Sequence, residues 1–198
     1  MNAVCLRTRA RRRALLLAGA ALAFAGSAQA QWWSYLRAPS TMAEVTELLE
    51  TRFPDVPLIT TAALAEELAR GPAPLLLDVR EKAEFDVSHL PGARHAPDAA
   101  TALRIASSLP PGARIVTYCS IGYRSAAVAR ALAEGGHPNT VNLDGSIFRW
   151  ANEGRPIVRD ASPAGATAQA STVHPYDATW GKLLEPSRRA PISSAGSR

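Results

Sequence analysis

Ile115-Val116-Thr117-Tyr118-Cys119-Ser120-Ile121-Gly122-Tyr123-Arg124-Ser125-Ala126-Ala127-Val128-Ala129 changes character where Cys119 stands. Its first four residues are apolar, β-branched or aromatic, and predict a buried strand; the Ala-rich end predicts a helix. In a tight loop that feeds a helix, backbone N–H groups converge on one spot, and the helix dipole adds partial positive charge there. Such a spot favours the thiolate, and Cys119 is expected to be ionised and open to solvent there, a usable nucleophile near neutral pH. A cysteine after an apolar strand is most often a small buried hydrophobe. Here it ends the strand, Gly122 and Arg124 follow within about one turn, and a helix starts at once, which together favour a reactive site. Gly122 relieves the steric limit on the loop backbone, and Arg124 brings a permanent charge.

The loop resembles the active-site loop of single-domain rhodanese-like sulfurtransferases, whose C-x-x-G-x-R form is met by Cys119, Gly122 and Arg124. Two more family marks lie upstream, Leu77-Asp78-Val79-Arg80 and His89-Leu90-Pro91-Gly92-Ala93. Another follows as Leu143-Asp144-Gly145-Ser146, with Trp150 behind it. The resemblance spans about residues 56–156. It implies that Cys119 takes a sulfane sulfur from a donor such as thiosulfate, a thiosulfonate or a persulfide, holds it as a persulfide, and yields it to a thiol or cyanide-like acceptor. Main-chain N–H groups from Ser120, Ile121, Gly122, Tyr123 and Arg124 would stabilise the anionic sulfur, with Asp78, Arg80 and Ser125 in support. The uncharged side chains of Ser120, Ile121 and Tyr123 would set donor preference. The resemblance calls for no metal and no organic cofactor, and a sulfur-accepting protein is a further class of partner. It uses His89 as a structural element ahead of the Pro-Gly turn, not as a base.

Two rivals stand beside this. Cysteine phosphatases and arsenate reductases use a Cys-x5-Arg loop around a tetrahedral oxyanion, whereas Cys119 and Arg124 give Cys-x4-Arg. One residue fewer contracts the ring by up to about 3.5 Å of contour, a cradle better suited to sulfur. The other rival is a carrier or binding module that holds a persulfide without turning over small donors.

Along the chain, Arg7, Arg9, Arg11, Arg12 and Arg13 precede an apolar run over residues 14–25, and Ala28-Gln29-Ala30 is a small-x-small cleavage site. Residues 1–30 therefore read as a signal peptide, and the protein as exported, to the periplasm, with no stable membrane anchor after removal. Arg12-Arg13 leaves the twin-arginine route open beside the general one. Five of the 22 basic residues lie in this leader, which has no acid, so 17 of each sign remain and the net charge of +5 falls to zero. A basic-surface case for nucleic acid does not survive that subtraction. Cys5 leaves with the leader, so Cys119 is then without an internal disulfide partner.

Residues 31–55 read as an extension whose helix begins at the capping box Thr41-x-x-Glu44 and carries Met42, Val45, Leu48 and Leu49 on one face. From 56 to 156 strands alternate with helices. Strands fall at Leu58-Ile59, residues 75–79, near Arg94, at 115–118 and at 140–143. Thr61 caps one helix, and others lie over 81–87, 99–109 and 125–134. This predicts an α/β fold: an open, mainly parallel sheet flanked by helices, with the Cys119 loop at the carboxyl end of a central strand. Asp78, at the end of an apolar run, needs hydrogen bonds or an ionic partner. Asp78 and Arg80 are compatible both with pinning loops and with adding field at the site. Beyond Pro156 the composition becomes that of a linker and tail, 157–198. An apolar island near 173–185 is expected to dock back, with the helix of residues 42–49 as one candidate surface.

Overall fold

The structure, a computed structural model, describes residues 38–161 and 165–192. The expected leader, including Cys5, lies outside these residues. Five strands, β1 (Leu58–Ile59), β2 (Leu75–Asp78), β3 (Arg94–His95), β4 (Ile115–Tyr118) and β5 (Thr140–Leu143), form one sheet in the order β1-β5-β4-β2-β3. Every neighbouring pair is parallel. Parallel neighbours need crossover connections, and the chain supplies helices between them: α2 (Thr61–Arg70), α3 (Lys82–Val87), α4 (Ala99–Ala106) and α5 (Tyr123–Glu134). The expected sheet and the placement of the Cys119 loop after a central strand are as observed.

The winding makes a crevice. β3 lies outside β2 and β5 lies on the far side of β4, so the chain turns in opposite senses on either side of the β2–β4 pair. Segments leaving the carboxyl ends of two such strands diverge, and ligands of open α/β sheets bind in the space between them. Cys119 follows β4 and Arg80 follows β2 within two residues.

All four residues of β4 are buried, as a strand covered on both faces requires. Pleating sends alternate side chains to opposite faces, and the core divides accordingly. Leu76, Val116 and Tyr118 join one apolar cluster with Val45, Leu49, Phe148 and Trp150, whereas Leu77, Ile115 and Cys119 join another with Ala102, Ile105 and Leu132. Small residues let α5 approach the sheet closely: Ser125, Ala126 and Ala129 are among its buried positions.

Outside the sheet, α1 (Met42–Arg52) and α6 (Ser146–Asn152) are tied together: Arg149 Nη2 donates to Met42 O at 2.8 Å, and Thr46 Oγ1 donates to Asp144 Oδ1 at 2.8 Å. Three sequence expectations change. The cap of α2 is Thr60, which accepts from the Ala63 amide at 3.1 Å, while the Thr61 hydroxyl turns to Glu153 at 2.6 Å. The stretch after Pro156, linker-like in composition, is partly ordered as an antiparallel hairpin of β6 (Ile157–Asp160) and β7 (Thr167–Ala170), whose ladder does not depend on apolar side chains. In the later island, Val173, Leu183 and Leu184 are buried in the main core. The island's hydrogen bonds run to the end of α6, not to α1. Asn152 Nδ2 donates to Leu183 O and the Glu185 amide to Asn152 Oδ1, both at 2.8 Å, because one side-chain amide can both donate and accept.

Candidate active site

The loop from Cys119 to Gly122 is held by its carbonyls. Those of Cys119 and Ser120 accept from the Ile147 and Phe148 amides, at 3.3 and 3.1 Å, in the otherwise unpaired first turn of α6. That of Gly122 accepts from Asn142 Nδ2 at 2.9 Å, from Ser125 Oγ at 3.1 Å and from the Ala126 amide at 3.0 Å. The Gly122 amide, which belongs to the Ile121–Gly122 peptide, meets Cys119 Sγ at 3.1 Å. Among the described residues it is the one loop amide with a hydrogen bond to the sulfur. The Cys119 amide itself donates to Ser146 Oγ at 3.1 Å.

Gly122 is required on two grounds. Its φ of +108° is disfavoured for residues with a side chain, and a Cβ there would stand 2.8 Å from Leu49 Cδ1 and 3.3 Å from Asn142 Nδ2.

Arg124 lies on the first turn of α5 and forms a bidentate pair with Glu84 of α3, Nη1 to Oε2 and Nη2 to Oε1, each at 2.9 Å. Ser120 Oγ joins them, donating to Glu84 Oε1 at 3.0 Å and accepting from Arg124 Nη2 at 3.1 Å. Burial works to raise the Glu84 carboxyl pKa, but the Arg124 hydrogen bonds and charge overcome it and hold the group below its ordinary value. Burial likewise opposes charge on Arg124. Hydrogen bonds from Glu84, then the fields of Cys119, Glu84 and Tyr176, outweigh it and raise the guanidinium pKa.

Asp78 and Arg80 are both fully buried. Arg80 Nε donates to Asp78 Oδ1 at 2.9 Å, and Nη2 reaches Asp78 Oδ2 and Ser88 O, each at 2.6 Å. The pair thus ties the end of β2 to the end of α3, which carries Glu84. No hydrogen bond among the described residues joins it to the Cys119 loop.

Comparison with known proteins follows the same lines. The sequence profile of the rhodanese-like domain matches residues 60–153. A sulfurtransferase from Allochromatium vinosum is 34% identical over 100 residues, which are 50% of this chain and 92% of that protein. The chain belongs to the rhodanese-like family. A probable adenylyltransferase/sulfurtransferase, MoeZ, from Mycobacterium tuberculosis is 33% identical over 99 residues, but these are only 25% of its length. The thiosulfate sulfurtransferase structure from Pseudomonas aeruginosa shares the fold with a TM-score of 0.53 and 20% identity, over 78% of this chain and 29% of that one.

Within this rhodanese-like domain the sequence-selected side chains take unequal places. Cys119, expected to be open to solvent, is 1% exposed, because it continues the pleat of β4 into the second apolar cluster. Ile121 is buried in the main core, so its side chain does not stand at a mouth where it could sort donors. Ser120 is consumed by the Glu84 network, and Tyr123 packs edge-on against Phe53 with ring centroids 5.0 Å apart. Tyr123 and Arg124 are the partly exposed members, the Arg124 side chain being 32% accessible. Ser125 fixes Gly122 O and donates to Asn142 Oδ1 at 2.6 Å. His89 stacks on Phe85 at 4.0 Å and is 3% exposed, away from base chemistry.

Three organising residues escaped sequence reasoning: Glu84, Asn142 and Ser146. Each left a signal. Glu84 is the fourth residue of the capping box Glu81-x-x-Glu84, and Asn142 is a polar residue inside an apolar strand that needs a buried partner. Ser146 left its signal in its place in the downstream Leu143-Asp144-Gly145-Ser146 motif, whereas its φ of +50°, uncommon for a residue with a side chain, shows only in the structure.

Proposed function

We propose that the protein is a sulfurtransferase that works through a persulfide on Cys119. The observation that carries this is the 3.1 Å contact from the Gly122 N–H to Sγ, in a loop whose Cys119, Ser120 and Gly122 carbonyls are turned to other partners. The Cys119 thiolate attacks the outer sulfur of thiosulfate, an S–S bond forms, the donor's S–S bond breaks, and sulfite leaves with the bonding pair. An acceptor thiolate or cyanide then attacks the outer sulfur of the persulfide and releases the Cys119 thiolate. No net oxidant is consumed in either half.

The Gly122 amide and the positive end of α5 favour sulfur as an anion both before and after the first transfer. Arg124, locked to Glu84 and Ser120, holds the loop in shape and keeps part of its charge facing solvent, where an anionic donor arrives. Asp78, Arg80 and Ser125 position these groups without touching substrate. Export of the protein to the periplasm, with removal of residues 1–30, belongs to the same proposal.

The 1% exposure of Cys119 favours a second reading, a carrier whose sulfur is reached only by a partner that rearranges the rim. A donor-by-acceptor kinetic panel on the chain beginning at Gln31, with Cys119→Ala as blank, separates them. Steady thiocyanate release from thiosulfate and cyanide supports the enzyme. A persulfide that forms and stays through every small acceptor supports the carrier, and steady phosphate release from an aryl phosphate, lost in Cys119→Ser, overturns both.

A further inference from the structure

The C-terminal island brings a second aromatic residue to the site. Val173 is fully buried, and its N–H and C=O pair with Arg188 O at 2.7 Å and the Ala190 amide at 3.0 Å. Pro175 is also buried, against Gly181, where any Cβ would stand 2.8 Å from Pro175 Cβ. Three residues after Val173 enters the core, and one after Pro175, the chain does the opposite: Tyr176 is 46% exposed and its φ is +66°. A large side chain seldom adopts that backbone, and the strain persists only where the surroundings impose it. Here they do, through Val173 and Pro175 on one side and Asp177 on the other, whose Oδ1 accepts from the Thr179 and Trp180 amides at 2.7 and 2.9 Å.

The strained residue faces Arg124. The guanidinium carbon lies 5.0 Å from the Tyr176 ring centroid, within the range of a cation–π contact. His174, whose Nδ1 accepts the Tyr176 amide at 3.1 Å, sits in the field of Glu84, Arg80 and Arg124. The strap thus spends backbone strain to lay a ring on the partly exposed cation beside a thiol that is otherwise closed off.

We propose that Tyr176 is a specificity-determining residue of the Cys119 site, a ring that occupies the open side of Arg124 and must be displaced by an anionic donor. This rests on the sulfurtransferase reading for its biological sense, but not for its test. Iodoacetate and iodoacetamide differ in charge, and each forms an S–C bond with the thiolate while iodide leaves, so they report access alone. Their rates at Cys119 are measured on the full chain, with peptide mass distinguishing Cys119 from Cys5. Tyr176→Ala is expected to raise the iodoacetate rate by about two- to fivefold more than the iodoacetamide rate, the factor that an exposed cation–π contact converts to. Tyr176→Phe, which keeps the ring, is expected to behave as the wild type. An unchanged ratio of the two rates in Tyr176→Ala, or a Tyr176→Phe variant that shifts the ratio as far, overturns the proposal. A shifted ratio in a protein that takes no sulfur from thiosulfate or any other sulfane donor retains the gate and rejects the sulfurtransferase reading.

Discussion

At Gly122 one hydrogen atom in place of a methyl group decides whether the cradle exists. Gly122→Ala places a Cβ against Leu49 and Asn142 at a φ of +108° and is expected to cost about 1–3 kcal/mol, read as a lower urea midpoint, with a larger loss in the rate of Cys119 persulfide formation. Asp78 and Arg80 make the complementary case, since their worth shows when one is removed. Arg80→Ala strands a fully buried carboxylate and is expected to destabilise by about 3–5 kcal/mol in the same assay. Replacing both with apolar residues of similar volume is expected to cost less than the single change. At this scale the sequence was eloquent about Cys119, Gly122 and Arg124, since a strand-to-helix turn narrows what each can be. It was silent about burial of the thiol, which depends on α4 and α5 closing over the β4 pleat.

Among the elements, α3 matters more than its six residues suggest, because it brings Glu84 to α5. Glu84 and Arg124 lie 40 positions apart, and no local periodicity relates them. This is why the helix itself was legible and its task was not. The same holds for Asn142, whose place in β5 follows from alternation while its bond to Gly122 O follows from β5 pairing with β4. The pairing carries a pH dependence. The Glu84 carboxyl pKa is lowered on folding, so the stability it supplies is fully present above its ordinary value of 4.5 and is lost as pH falls through the lower folded value. Urea unfolding followed through that acid range is expected to show this loss in the wild type, and a smaller slope in Glu84→Gln.

Over the whole molecule, strand and helix alternation was enough to foresee a parallel sheet with the reactive loop at a carboxyl end, because only crossover connections satisfy that pattern. The tail was harder. Composition after Pro156 resembles a linker, yet a few apolar residues suffice to anchor it, and Leu184, 1% exposed, is one of them. Leu184→Ala is expected to lower stability by about 2–5 kcal/mol by urea unfolding, a cost that a free tail would not show. The central claim is that the Cys119 loop holds sulfur as a persulfide. Intact-mass measurement of the chain from Gln31 after thiosulfate tests it most directly: one added sulfur on Cys119, removed by cyanide and absent in Cys119→Ala, is the predicted result, and no adduct with thiosulfate or any other sulfane donor contradicts it.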